Sequence, residues 1–438
     1  MVPLPEPRNR FERMTMLRSK RTTDIGKFAK LCKPTGQPVS KKLKVAFVQP
    51  IIPKYRSDFL RRFSEFTKLD ILSLYGKLRS KKYKKICNYD KIHGFPHKAL
   101  WAPLVVPRIQ GQIYHVYFFP TLLWHLIKFR PQVVITEGEY MMLNNLLVFM
   151  YARIFGAKVV WWSLGKMVTR QKTIVNYLFD WLIRWEIFNC HFIVGKNTQA
   201  CRYYHEKYGI PVDRTLVAPN SIDDINEKDI EQSKDDIAAL RKRLGFGPVV
   251  LYVGAMTEAK RLEDLIRAME DVWNKCPSAK LVLVGDGEVK SDLEKMVSEL
   301  KWEDKVIFIG KVLEGVSKYF LLAEVFVLPG LGGLAIPHAM IHGVPVIAGI
   351  ADGTEKDLII DGVTGYLLKS DNNKELAEKI IAIITKPELR KEMSVNCKDF
   401  IETQWNIRLQ VERMHMAAAK AREVRTTLGR CVKREAAN

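Results

Sequence analysis

The sequence predicts an α/β protein made of two successive doubly wound domains. Three observations carry that prediction. Short, continuously apolar runs rich in Val and Ile recur along the chain, as strands do when a parallel sheet is buried on both faces. Longer amphipathic stretches separate them, as crossover helices require. The runs also fall into two series, parted by one charged stretch that has no strand of its own.

Up to about Ser40 the chain is basic and punctuated by Pro34, Gly36 and Pro38, so residues 1–43 are expected to form a flexible arm. The first series then runs "KVAFVQ" (44–49), "LDILSLY" (69–75), "QVVIT" (132–136), "KVVWWS" (158–163) and "HFIVG" (191–195), which assigns a first domain to 44–225. "NSIDDINEKDIEQSKDDIAALRKRLG" (220–245) is the interruption, a linker running into a first helix over 226–247. The second series is "VVLYVG" (249–254), "KLVLVG" (280–285), "KVIFIG" (305–310), "VFVLP" (325–329), "VPVIAG" (344–349) and "GYLL" (365–368), within a domain spanning 248–390. Between its first two strands, apolar residues at 262, 265, 266, 269, 272 and 273 mark one face of a helix. Residues 391–438 complete the chain, helical to about Val424 and then a basic tail. In sheets of this kind ligands bind beyond the carboxyl ends of the strands, so the expected site is a cleft between the domains.

With 438 residues, 47% of them hydrophobic, the chain can bury more than one core. Seven scattered cysteines without a CxxC pair argue against a disulfide framework or a zinc site and for a reducing compartment. No uninterrupted run of about 20 apolar residues exists, and the first residues lack the core of a secretion signal. A soluble or peripheral cytoplasmic protein is the expectation. Charge is uneven: residues 1–100 hold 25 Lys or Arg against seven Asp or Glu. Either this is a solvated arm and surface, or it attracts an anionic membrane, a lipid phosphate or a polyanion. "SKKYKKICNYDK" (80–91) interleaves aromatics with lysines, but no recognition-helix, finger or RNP pattern accompanies it, and no nucleic acid is expected. "YFFPTLLWHLIKFR" (117–130) and "YLFDWLIRWEIF" (177–188) set Trp and Phe beside Lys and Arg. Both are too short to span a bilayer but can lie in its interface, though buried packing is expected of the second.

Several strands of the second series end in glycine: Gly254, Gly285 and Gly310, with Gly332 and Gly333 shortly after Pro329. Backbone without Cβ at these points admits a ligand, and the following helices offer free N–H groups, so a phosphorylated ligand is expected. Lys260 and Arg261 can neutralise a diphosphate as it leaves a sugar. In the first series Glu137 and Glu139 end a strand, where a carboxylate either orients an acceptor hydroxyl and takes its proton or caps a helix. Tyr55 and Arg56 sit beyond another strand end and suit an anionic acceptor or a donor phosphate. His338 and His342 have the i, i+4 spacing of some metal ligands, but without a neighbouring Glu or Cys no metal is assigned.

"YVGAMTEAKRLEDLIRA", "LVLVGDG", "VIFIGKV", "VFVLPG" followed by "GL…AM…GVPVI", and "DGVTGYLL", with "VAPNSID" ahead of the linker, keep an order and spacing that resembles one enzyme family. That family is the GT-B glycosyltransferases of family 4, which retain configuration and use nucleotide sugars. The resemblance runs from about Lys44 to Leu368 and is strongest in the second domain. It implies two Rossmann-like domains facing a central cleft, and transfer of a sugar from a UDP- or GDP-sugar to a polysaccharide or glycolipid acceptor without cofactor or metal. Carried over by position, Lys260 is the phosphate-binding lysine, and Arg261 supplies the second cation because Ala255 stands at the family's arginine. Gly285 and Asp286 form the turn beside the nucleotide, the backbone of Ile309, Gly310 and Lys311 meets the base edge, and Gly333 with Leu334 holds the diphosphate. Tyr55 and Arg56 resemble a "P-x-Y-R" loop of some polysaccharide-building members. Three departures stand out. Gly330 and His338 occupy the positions of the family's two glutamates, Leu164 that of its histidine, and "QPIIPKYRSDF" replaces the glycine-rich first loop. They leave open a non-catalytic nucleotide-sugar-binding protein, or a sugar-nucleotide epimerase on the same fold.

Overall fold

A computed structural model describes residues 43–67, 69–77, 92–105, 108–109, 112–113, 116–165, 174–222, 234–245, 247–312, 314–370 and 372–424. The N-terminal arm, the 80–91 segment, most of the linker and the basic tail lie outside the described residues.

The first domain is a seven-stranded parallel sheet in the order β11-β10-β9-β8-β1-β2-β3. Its strands are β1 (Lys44–Gln49), β2 (Asp70–Lys77), β3 (His97–Trp101), β8 (Val133–Glu137), β9 (Lys158–Ser163), β10 (Phe192–Gly195) and β11 (Thr215–Val217). Two small antiparallel pairs lie between β3 and β8: β4 (Leu104–Val105) with β7 (Val116–Tyr117), and β5 (Arg108–Ile109) with β6 (Gln112–Ile113). Central β1 pairs with β2 and β8, with Val45 opposite Val133. Residues 45–49 are buried without alternation, as a strand covered on both faces requires. The edge strands β3 and β11 escape the sequence pattern. "HKALW" mixes charge with apolar residues, and β11 is only three residues long.

Alternate residues of this sheet feed two cores. Ala46, Val48, Val134 and Ile193 pack under helices Leu122–Phe129, Met142–Phe155 and Ile174–Asn189. Val45, Phe47, Ile135 and Val194 pack under helix Lys54–Thr67 on the other face. The last helix, Ile407–Glu423, joins this second core through Ile407, Val411, Met414 and Ala418. The C-terminal helix thus crosses back to cover the first domain. Its Gln410 side chain accepts the Ser221 amide at 3.0 Å, and Trp405 donates to the Asn220 carbonyl at 3.1 Å, which fastens the start of the linker.

The second domain holds a six-stranded parallel sheet, β14-β13-β12-β15-β16-β17. Its strands are β12 (Val249–Val253), β13 (Lys280–Val284), β14 (Val306–Gly310), β15 (Val325–Leu328), β16 (Val346–Ala348) and β17 (Gly365–Leu367). Helix Leu262–Lys275 buries all six positions expected of its inner face, together with Ala268. Helix Lys234–Leu244 meets helix Ser317–Leu322 at the β14 edge. Among the described residues no helix is long and apolar enough to cross a membrane.

Candidate functional site

The carboxyl ends of both sheets supply the residues of one cleft. In the second domain the strand ends are laddered together: the Gly254 amide donates to Val284 O and the Gly285 amide to Gly310 O, each at 2.9 Å, and the Met256 amide donates to Asp286 O at 3.0 Å. Gly285 has φ +148°, and a Cβ there would lie 1.8 Å from the Gly254 carbonyl oxygen, so only glycine allows this approach. Asp286 is exposed and accepts the Gly287 amide at 3.0 Å.

Lys260 ends a 3-10 turn, Glu258–Lys260. Its ammonium reaches into the turn after β15, donating to the carbonyl oxygens of Leu331 and, at 2.9 Å, Gly332. Burial draws the ammonium below the ordinary lysine value, and the Asp352 carboxylate pulls the other way. Arg261 follows in the left-handed region with φ 57°, and its Nε donates to Asp264 at 2.7 Å. The expected cation pair is therefore divided: Lys260 lies at the turn, while Arg261 is tied to its own helix. Gly333 and Leu334 lead into helix Ala335–Ile341, and their carbonyls accept the Ile336 amide at 3.3 Å and the His338 amide at 3.2 Å. Ile309 and Gly310 end β14 and Lys311 follows it; Phe308 and Ile309 border an open cavity of about 390 Å3 lined also by Leu240, Arg243, Lys318 and Tyr319.

Gly330 stands where no side chain fits. A Cβ would lie 2.2 Å from Ala259 O and 2.7 Å from the Lys260 carbonyl carbon, and the Leu331 amide locks the approach by donating to Ala259 O at 2.7 Å. Carboxylates from elsewhere in the second domain approach the turn. A Cβ on Gly332 would lie 3.6 Å from a Glu355 carboxylate oxygen and 3.7 Å from one of Asp352. Glu355 is fully buried and accepts the amides of Ala351 at 2.8 Å and Gly353 at 3.1 Å. His338 packs at a tilt against Phe320 and His342, with centroids 4.6 and 5.2 Å away. Burial first, then His342 and Lys54, pushes it down to about 3, so it is a neutral ring at working pH. Lys54, whose charge acts on His338, belongs to the first domain. Among the described residues no three His, Cys, Asp or Glu side chains gather to hold a metal.

The first domain's wall is an ion network. Arg56, 2% exposed, lies with its guanidinium 3.7 Å from the Trp162 ring centroid and donates to Glu137 at 3.4 Å. Lys196 donates to the same Glu137 oxygen. Burial raises the Glu137 carboxyl, but Lys196 and then Arg56 outweigh it and hold it below the ordinary carboxylate value. Glu137 is therefore an anchor for two buried cations, a poor proton acceptor. Glu139 is engaged as well, accepting from Ser163 Oγ at 2.6 Å and Tyr204 OH at 2.5 Å. Beneath them Glu186, pushed up to about 9 chiefly by burial, accepts from Asn145 at 3.3 Å. Tyr55, the second residue of helix Lys54–Thr67, has its ring centroid 5.4 Å from the Arg56 guanidinium. Arg56 Nη1, Trp162 Nε1 and both amide atoms of Gln49 are buried without a hydrogen-bond partner among the described residues.

The domains are clasped directly. Asn197 caps helix Thr198–Tyr208 with its oxygen and donates its amide across the cleft to Asp352 O at 3.0 Å and Thr354 Oγ1 at 3.2 Å. The Thr198 amide donates to Asp357 at 2.6 Å. Sequence reasoning missed Lys196, Asn197 and Thr198, and Asp352, Glu355 and Asp357. The rule that selected Glu137, a polar residue just past a strand's carboxyl end, would have selected Lys196 after "HFIVG" and Asp352 after "VPVIAG".

Residues 236–400 match the family model described as glycosyl transferases group 1. Alpha-D-kanosaminyltransferase of Streptomyces kanamyceticus is 30% identical over 230 residues, 51% of this chain and 58% of that protein. The GDP-mannose-dependent monoacylated alpha-(1-6)-phosphatidylinositol monomannoside mannosyltransferase of Corynebacterium glutamicum is 27% identical over 194 residues, 41% of this chain and 50% of that protein. The chain spans about half the length of the curated relatives it matches. Among solved structures, Anabaena Alr3699/HepE in complex with UDP superposes with a TM-score of 0.66 at 17% identity, covering 86% of this chain and 100% of that one. A glycosyltransferase from Rickettsia africae gives a TM-score of 0.66 at 12% identity, covering 87% and 99%. Residues 236–400 thus match the model of the glycosyl transferases group 1, within a chain that shares the GT-B fold of these solved structures.

Proposed function

We propose that the protein is a glycosyltransferase that moves a sugar from a UDP- or GDP-sugar to a polysaccharide or glycolipid acceptor, with retention of configuration. The observation that carries this reading is the Lys260 ammonium seated on the carbonyls of Leu331 and Gly332. It brings a partly buried cation to the glycine turn beside the amides of Gly333 and Leu334, where a departing diphosphate needs charge compensation. The backbone of Ile309, Gly310 and Lys311 takes the base, Gly285 and Asp286 flank the nucleotide, and Gly254 and Gly330 let backbone close on it. Arg261 assists only after leaving Asp264. His338, held neutral, is the ribose-side group.

The bond from the anomeric carbon to the diphosphate oxygen breaks as the acceptor oxygen bonds to that carbon. With Glu137 and Glu139 both engaged, the strongest base near the acceptor hydroxyl is the departing diphosphate, which takes the proton on the face it leaves. Such a transfer retains configuration. Glu137 positions Arg56, and Arg56 with Tyr55 receives an anionic acceptor. No divalent metal enters this scheme, and no nucleic acid. The Corynebacterium relative, by its name, acts on a phosphatidylinositol mannoside. It supports a lipid-linked acceptor, met by a cytoplasmic protein peripheral on the membrane.

One observation favours a second reading, a nucleotide-sugar-binding protein without transfer: the turn has no acid at Gly330, and backbone excludes one. Incubation with a panel of radiolabelled nucleotide sugars tests both. Transfer or hydrolysis is the expected result. Thermal stabilisation without turnover would mean the binding protein, and release of an altered free sugar would mean an epimerase.

A further inference from the structure

Eight of the 17 large apolar side chains exposed among the described residues fall on three neighbouring helices, Leu122–Phe129, Met142–Phe155 and Ile174–Asn189. Each helix buries one stripe in the first-domain core, Leu122 with Leu126, Val148 with Ala152, and Ile183 with Ile187. Each also turns an apolar stripe outward at i, i+3 or i, i+4 spacing: Trp124 with Ile127, Met150 with Ile154, Trp181 with Trp185. Trp124 is 59% exposed and Trp181 69%. Middle helix Met142–Phe155 touches both others, so the three stripes form one surface. The helix expected to pack as a buried element, residues 177–188, thus contributes its most exposed aromatic.

The charges interleaved with these stripes are mostly positive. Lys128, Arg130, Arg153 and Arg184 are exposed there, with Asp180 the one exposed acid on the three helices among the described residues. Lys128 sits 5.1 Å from the Trp124 ring centroid, an aromatic and its cation sharing one depth. Tryptophan with flanking cations suits a headgroup layer, where the ring is half wet and the ammonium meets lipid phosphate. A second copy of the chain suits it poorly, because a two-fold contact would set four cations against four cations.

We infer that this three-helix face docks on a bilayer containing anionic lipid, Trp124 and Trp181 entering the interface and Lys128, Arg130, Arg153 and Arg184 meeting the headgroups. The inference deepens the membrane-peripheral reading of the proposed function, and its test uses no sugar transfer, so the two can fail separately. Full-length protein is floated with vesicles of phosphatidylcholine, with and without phosphatidylglycerol. Binding is expected only to the anionic vesicles and is expected to fall as salt rises. Trp124→Ser with Trp181→Ser should weaken it about tenfold or more. Lys128→Glu and Arg184→Glu should each weaken it by on the order of fivefold. All four side chains are exposed, so melting temperature and nucleotide binding should stay unchanged. Equal binding to neutral vesicles, or binding untouched by these substitutions, overturns the proposal. A dimer in sedimentation velocity that the tryptophan variant dissociates also overturns it and makes the face a self-interface.

Discussion

The two walls of the cleft are built by different means. The second domain's wall is mostly backbone: laddered strand ends, a glycine turn and one lysine resting on two carbonyls. The first domain's wall is side chains, Arg56, Lys196 and Trp162 gathered around Glu137 from three strand ends and the start of one helix. A diphosphate has the same shape and charge whichever sugar it carries, so fixed amides and one cation serve it. An acceptor is held by side chains, whose placement depends on which strands lie side by side. The difference teaches that the second domain's wall tolerates little change in its backbone and the first domain's wall little change in its charge.

That contrast can be broken experimentally. The largest effect is expected from Glu137→Ala, which leaves Lys196 and Arg56 buried against each other. Removing one partner of a buried ion pair costs about 3–5 kcal/mol, measured by denaturant unfolding. If Glu137→Ala costs less than about 1 kcal/mol, the first wall is not held by its ion network. The Glu137 contribution has a defined sign with pH. Its folded carboxyl lies below its unfolded value, so the stability is present above about pH 4.5 and fades as pH falls through the folded value.

Next in size is Lys260→Ala, expected to lower kcat by roughly 10²–10³-fold while leaving the fold intact, as removal of one charge-stabilising donor does elsewhere. Full activity in this variant would place the diphosphate away from the glycine turn. Gly330→Glu, which restores an acid where the family resemblance expects one, should destabilise the second domain by about 1–3 kcal/mol without raising activity. The Ala259 carbonyl has nowhere to go. A variant that folds normally and turns over faster would show that the turn opens.

The most gradual effect is a slope. Glu186, pushed up to about 9, keeps a proton in the folded state that the unfolded chain releases near its ordinary value of 4.5. Between those values the unfolded state binds fewer protons, so stability should fall with rising pH by about 1.4 kcal/mol per unit. Glu186→Gln should flatten the profile in that window and leave it unchanged below it. An unaltered slope would mean that Glu186 is ionised in the fold.

Much of this architecture was legible in the residues. The inner face of helix Leu262–Lys275 follows the apolar spacing, and the strand-end glycines Gly254, Gly285 and Gly310 do lie side by side. Lys260 does reach the turn. Other features were beyond the pattern. The spacing of "YLFDWLIRWEIF" shows an amphipathic helix with aromatics on both sides, so it does not say which side meets the sheet. Nothing near Gly330 announces Ala259, 71 positions earlier, as the group that excludes a side chain there.

By itself the sequence determined the two sheets, the order of their strands along the chain and the backbone turn that suits a diphosphate. These are written in continuous apolar runs, in a helical periodicity of 3.6 residues and in glycines whose need is local. Only the tertiary structure decided that Glu137 is tied by Arg56 and Lys196 and that the last helix returns to the first domain. It also decided that Asn197 clasps the loop carrying Asp352. The physical reason is range: a helix or strand answers to neighbours a few positions away, whereas a buried ion pair or an interdomain clasp answers to groups 59 to 155 positions apart, brought together only when the sheets close.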